Sequence, residues 1–90
     1  MSETQDARLK RMSMRSWRRG MKEMDLILGP FADVHLAAMS EDRLIAFDKL
    51  LEENDQDLLP WVLGQLPAPT YLTDLIVEIG GFARRRLTAR

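Results

Sequence analysis

The chain has 90 residues with 13 Lys or Arg, 14 Asp or Glu, one histidine and no cysteine, for a formal net charge of −1. This composition suits one compact domain and excludes disulfides, thiolate metal ligands and a multi-histidine site, and no run reaches the roughly 20 apolar residues needed to cross a bilayer. The charge is segregated: residues 1 to 22 carry a balance of +5, residues 23 to 78 one of −10, and residues 79 to 90 one of +4, a pattern of opposed fields that steers a complementary partner.

No stretch alternates apolar and polar residues for long, and β-branched residues are few, so the chain is expected to be all-α. A first helix spans about Asp6 to Arg18, with Leu9, Met12, Ser16 and Trp17 on one stripe. A second runs from about Met21 to Ala38, where Met21, Met24, Leu28, Phe31, His35 and Ala38 recur at spacings of three and four. Gly29-Pro30 is expected to interrupt it, by a kink or by a restart with Pro30 in a first turn. Ser40, followed by Glu41 and Asp42, caps a third helix that extends to about Glu53, with Leu44, Phe47, Leu50 and Leu51 inward and Asp42, Arg43, Asp48, Lys49 and Glu52 facing water.

Asn54-Asp55 breaks that helix. Asp57 is the expected cap of a short fourth helix, since Pro60 then falls in its first turn, with Leu59, Val62, Leu63 and Leu66 supplying its core. Pro67-Ala68-Pro69 is a stiff connector, and Thr70 or Thr73 caps a last helix carrying Leu72, Leu75, Ile76, Ile79 and Phe82, weakened at its far end by Gly80-Gly81. The expectation is a five-helix bundle forming a single domain over residues 1–90, ordered from about 6 to 86 and frayed at both ends.

Catalytic patterns are missing from the sequence: there is no phosphate-cradling glycine loop, no HExxH and no plausible Ser-His-Asp set. His35 lies on an apolar stripe and reads as a core or boundary histidine. Glu52 and Glu53 are adjacent and diverge on a helix, which does not suit paired acid and base work. A domain of this size is also expected to lack a deep pocket of roughly 300 to 1,000 Å³. The chain is therefore read as a non-enzyme that holds no metal and no cofactor, does not insert in a membrane, and acts through protein contacts.

The segment most suited to such contacts is Trp17-Arg-Arg-Gly-Met-Lys-Glu-Met-Asp25, which contains Arg19-Gly20-x-x-Glu23. Arg19 is a planar five-donor cation, Gly20 lacks a side chain, and Glu23 is an acceptor four residues on, close enough on a helix to meet Arg19. Gly20 weakens a helix by roughly 1 kcal/mol relative to alanine, which fits a bend or a close approach by another backbone. The same residues also fit an exposed salt bridge beside a glycine that marks a helix boundary. Arg8, Lys10, Arg11, Arg15, Arg18, Arg19 and Lys22 form a basic region that leaves nucleic-acid binding as an alternative, opposed by the acidic middle and the lack of an aromatic stacking platform. A regulatory helical adaptor is a further alternative.

Residues 8 to 85 resemble the SdhE family, the small FAD assembly factors of succinate dehydrogenase whose mitochondrial members are called succinate dehydrogenase assembly factor 2. The likeness rests on Arg18-Arg-Gly-Met-Lys-Glu-Met-Asp25, on Gly29-Pro-Phe-Ala32, and on Leu50-Leu-Glu-Glu-Asn-Asp-Gln-Asp-Leu58 leading to Trp61. The resemblance implies a five-helix protein that binds the flavoprotein subunit of succinate dehydrogenase or fumarate reductase and promotes covalent attachment of FAD to a histidine there, without holding flavin itself. It implies partner contact through Arg19, Gly20 and Glu23, bordered by Met21, Lys22 and Asp25. The short lead before the motif suggests a bacterial cytoplasmic protein.

Overall fold

Three side chains set helix starts by accepting a hydrogen bond from a backbone N–H of the first turn: Thr4 from Ala7 at 3.1 Å, Ser40 from Arg43 at 3.3 Å and Asn54 from Gln56 at 3.4 Å. The resulting computed structural model describes residues 3–88, with side chains through residue 86. Helix α1 spans Gln5–Trp17, α2 Lys22–His35, α3 Glu41–Leu51, α4 Asp55–Val62 and α5 Thr73–Thr88, with 3₁₀ turns at Leu36–Ala38 and Thr70–Leu72. The expected all-α, five-helix architecture is present, and no strand occurs among the described residues. Of the ends expected to fray, 1–5 and 87–90, Gln5 lies in α1 and 87 and 88 lie in α5, while 1, 2, 89 and 90 lie outside the described residues.

The core gathers Met12, Met24, Leu28, Phe31, Phe47, Leu50, Leu58, Leu72 and Ile79, all without solvent exposure. All four inward positions expected of α3 are buried. His35 packs its ring 4.6 Å from Phe31 and 5.5 Å from Phe82, in line with a boundary histidine. Ala38 leaves the stripe, because the 3₁₀ turn changes the pitch and turns it to solvent.

Gly29-Pro30 does not interrupt α2. Gly29 is the seat of Trp17: a Cβ built there would lie 2.3 Å from the indole ring, so only glycine lets the ring lie on the helix. The Trp17 Nε1–H donates to Asp33 Oδ1 at 3.2 Å, which orients the half-exposed ring. Pro30 has no N–H to offer the carbonyl of Leu26, four residues earlier. Arg86 fills the gap, its Nη1 donating to that oxygen at 3.1 Å while the guanidinium lies 5.9 Å from the Phe82 ring centroid. The helix thus tolerates its proline with a donor borrowed from α5.

Helix α4 begins earlier than Asp57. Asn54 is its cap, Pro60 lies inside it, and the register places Leu58 and Val62 inward. Leu63 and Leu66 fall past its end and remain more than half exposed, at 54% and 57%. Gly80-Gly81 lies inside α5, which continues past it to Thr88. A Cβ on Gly80 would stand 2.8 Å from the Val62 carbonyl oxygen, so this glycine lets α5 close on the end of α4.

The segregated charges meet within the molecule. Arg8 pairs with Glu41 at 2.8 Å, Arg11 with Asp48 and Glu3 at 2.8 Å each, and Arg15 donates to the Leu51 carbonyl at 3.0 Å. Arg43 joins Glu78 on α5. Asp48 and Arg43, expected to face water, are therefore half-buried rungs between helices.

Gly29→Ala is expected to cost about 1 to 3 kcal/mol in urea unfolding, the range for forcing extra volume into packed space. Adding Trp17→Ala should recover part of that loss, because the two substitutions share one contact. The Arg11 guanidinium beside Asp48 holds that carboxyl below the usual carboxylate range. A lowered folded value stabilises the fold above the ordinary value near about 4 and is lost as pH falls through it. Arg11→Gln should therefore be less stable than the native chain by about 0.5 to 1 kcal/mol near neutrality, and the difference should close below about pH 4.

Candidate docking site

The chain leaves α1 after Trp17 and enters α2 at Lys22, so Arg19 and Gly20 occupy a turn rather than a helix. Gly20 has φ +91, a left-handed conformation that side-chain-bearing residues rarely adopt, and nothing lies within 4 Å of where its Cβ would be. The glycine is needed for the bend, and the space beside it is open.

Arg19 points inward. Its Nε–H donates to Asp55 Oδ1 at 2.8 Å, Nη2–H to the Glu53 carbonyl at 2.7 Å, and Nη1–H to the Leu51 carbonyl. The two ends of the ion pair are only 8% and 12% exposed. The Arg19 backbone N–H in turn donates to Asp25 Oδ1 at 2.6 Å, which ties the turn to the first part of α2. This planar fork therefore joins the motif to the last turn of α3 and the start of α4. The expected meeting of Arg19 with Glu23 is replaced by the pair with Asp55. The reason is local: the backbone between them is not helical, so a spacing of four does not align them.

The six candidate residues divide into two groups. Gly20, Lys22 and Glu23 are exposed, whereas Arg19, Met21 and Asp25 are half-buried, Met21 against the core and the other two within the turn's own bonds. Asp55 belongs with them, although in the sequence it stands only as part of a helix break and of the segment that carries the resemblance. Nothing in the spacing singles it out, because Glu23 and Asp25 are the acids nearest to Arg19 along the chain. Tyr71 reinforces the same turn: its O–H donates to Glu53 Oε2 at 2.8 Å, which pushes the phenol above its ordinary range.

Glu23 also lines a groove of about 500 Å³ between α2, α4 and α5, together with Leu26, Val62, Leu63, Gly80, Arg84 and Arg86. A space of this size was not expected in so small a domain. It arises because Gly80 brings two backbones together while Leu63, just beyond the end of α4, and Leu26 on α2 stand up beside them. Among the described residues no group of His, Cys, Asp or Glu could hold a metal ion, and no helix is long and apolar enough to cross a membrane.

A family model described as the flavinator of succinate dehydrogenase matches residues 10–84. The chain belongs to that family. It is 42% identical over 57 residues to succinate dehydrogenase assembly factor 2, mitochondrial, of Penicillium rubens, a match covering 63% of this chain and 18% of that protein. The Schizosaccharomyces pombe protein of the same name is 40% identical over 67 residues, or 74% of this chain and 48% of the relative. FAD assembly factor SdhE of Haemophilus ducreyi is 36% identical over 61 residues, or 68% of this chain and 74% of the relative. The chain thus spans less than a fifth of the Penicillium flavinator relative and about three quarters of the Haemophilus one. Family and relatives carry the names of assembly factors rather than of enzymes, in agreement with the reading of the residues.

Arg19→Met is expected to cost about 3 kcal/mol in urea unfolding, because it leaves the part-buried Asp55 carboxylate without its cation and the Glu53 carbonyl without the guanidinium donor. Glu23→Gln should stay within about 0.5 kcal/mol of the native chain, as befits an exposed side chain. Equal stability of the two variants would show that the Arg19 clamp is not needed.

Proposed function

We propose that this chain binds the flavoprotein subunit of succinate dehydrogenase, or of fumarate reductase, and promotes covalent attachment of FAD to it without holding the flavin itself. The family match over residues 10–84 carries this reading. The geometry supports it by setting Gly20 and Glu23 on an open side of the molecule, above a turn whose shape is fixed from beneath.

In this reading Arg19 works at one remove. It does not reach the partner but holds the turn at a fixed height, so that Gly20 admits a close backbone and Glu23 accepts hydrogen bonds from the flavoprotein. Asp25 has the same supporting role through the Arg19 N–H, and Lys22 borders the contact. The flavoprotein supplies the reacting groups, and the factor favours the arrangement in which they are apposed. Small gains in position translate into large rate factors. Nucleic-acid binding is less supported, since four of the seven residues of the basic region, Arg8, Arg11, Arg15 and Arg19, are engaged by acids and carbonyls of the same chain.

The test mixes the chain with apo-flavoprotein, FAD and a dicarboxylate and follows covalent flavin by in-gel fluorescence after denaturation. Glu23→Gln should lose most of the acceleration with an unchanged melting curve. Gly20→Ala and Gly20→Arg share the same backbone strain, of order 1 kcal/mol or more, but only arginine fills the open space. Arginine should abolish flavinylation and alanine should retain part of it. Native rates with Glu23→Gln would overturn the contact assigned to that carboxylate.

A further inference from the structure

The groove lined by Glu23 is not explained by the motif. Its floor is the backbone junction of Val62 and Gly80, and its sides carry Leu26 and Leu63, which are 52% and 54% exposed although neither is needed for the core. Its charged lining is Glu23 from the first turn of α2 together with Arg84 and Arg86 from α5, so that cations outnumber the one acid. Arg86 is not a loose surface cation. The bond to the Leu26 carbonyl, left open by Pro30, and the face of Phe82 hold its guanidinium at the rim. A cation held in place binds an anion at a lower ordering cost than a flexible one.

We propose that this groove receives an apolar segment of the flavoprotein carrying a carboxylate, which rests on the reading of partner given above. The apolar side chains of that segment lie between Leu26 and Leu63, and the carboxylate meets Arg86, on the cationic α5 side of the groove. The groove and the motif share Glu23, so one body seated on Gly20 and Glu23 also covers the groove. This choice of occupant follows from charge complementarity: an all-apolar segment would cover Arg86 without answering its charge, and a basic one is repelled by it.

The test uses the full chain and apo-flavoprotein. Leu26→Ser with Leu63→Ser removes the apolar sides without touching the motif or the buried core, and its melting curve serves as the control for folding. The dissociation constant should rise about tenfold or more, the usual effect of truncating interface anchors. A benzophenone side chain placed at position 63 should crosslink to a flavoprotein segment containing both bulky apolar residues and Asp or Glu. If the native chain binds and the double variant binds equally well, the groove proposal is overturned while the assembly role stands. If the native chain does not bind the flavoprotein, both fall. A crosslink to a second copy of this chain, or to a segment without an acid, overturns the proposed occupant.

Discussion

The buried fork of Arg19 is the interaction on which the functional surface depends. One guanidinium joins three parts of the chain distant in sequence: the turn after α1, the last turn of α3 at Leu51, and the start of α4 at Asp55. Removing a charge from water is costly, and here the cost is offset by an ion pair together with bonds to two carbonyls near a helix end, one of them shared with Arg15. The result is a rigid base beneath Gly20 and Glu23. A motif whose first member faces inward and whose later members face outward is a support and a contact surface in one short stretch.

The remaining charges follow the same principle on a smaller scale. Arg8, Arg11 and Arg15 form one side of α1, and Glu41, Asp48 and the end of α3 answer them. Exposed pairs of this kind are individually weak, but in sequence they fix the rotation of α1 against α3. The contrast between a basic start and an acidic middle is thus mainly a device for joining helices. What it presents to partners is local, at the exposed Glu23.

Much of this was legible from residue order. Ser40 before two acids marked a helix start, and the spacing of Leu44, Phe47, Leu50 and Leu51 identified a buried face, because both signals are local and the structure obeys them. The errors share a different origin. Asn54 was read as a break when its side chain makes it a cap, and the register of α4 moved with it, burying Leu58 and exposing Leu63. Gly29-Pro30 and Gly80-Gly81 looked like helix breakers on local rules, yet each serves a close approach that only the tertiary arrangement creates. The motif itself was found without the direction of its arginine, since spacing cannot reveal that the backbone leaves the helix at Arg18.

The bond between Arg86 and the Leu26 carbonyl makes Pro30 and Arg86 mutually dependent. An alanine at position 30 would restore the missing N–H and, by the ordinary reckoning for a helix interior, strengthen α2. It would also compete with the guanidinium for the same oxygen and so loosen the cation at the groove rim. A change favourable to the helix would then be unfavourable to the surface, the familiar opposition between stability and activity. Substitutions at these two positions are therefore epistatic: the effect of either depends on which residue occupies the other, 56 places along the chain.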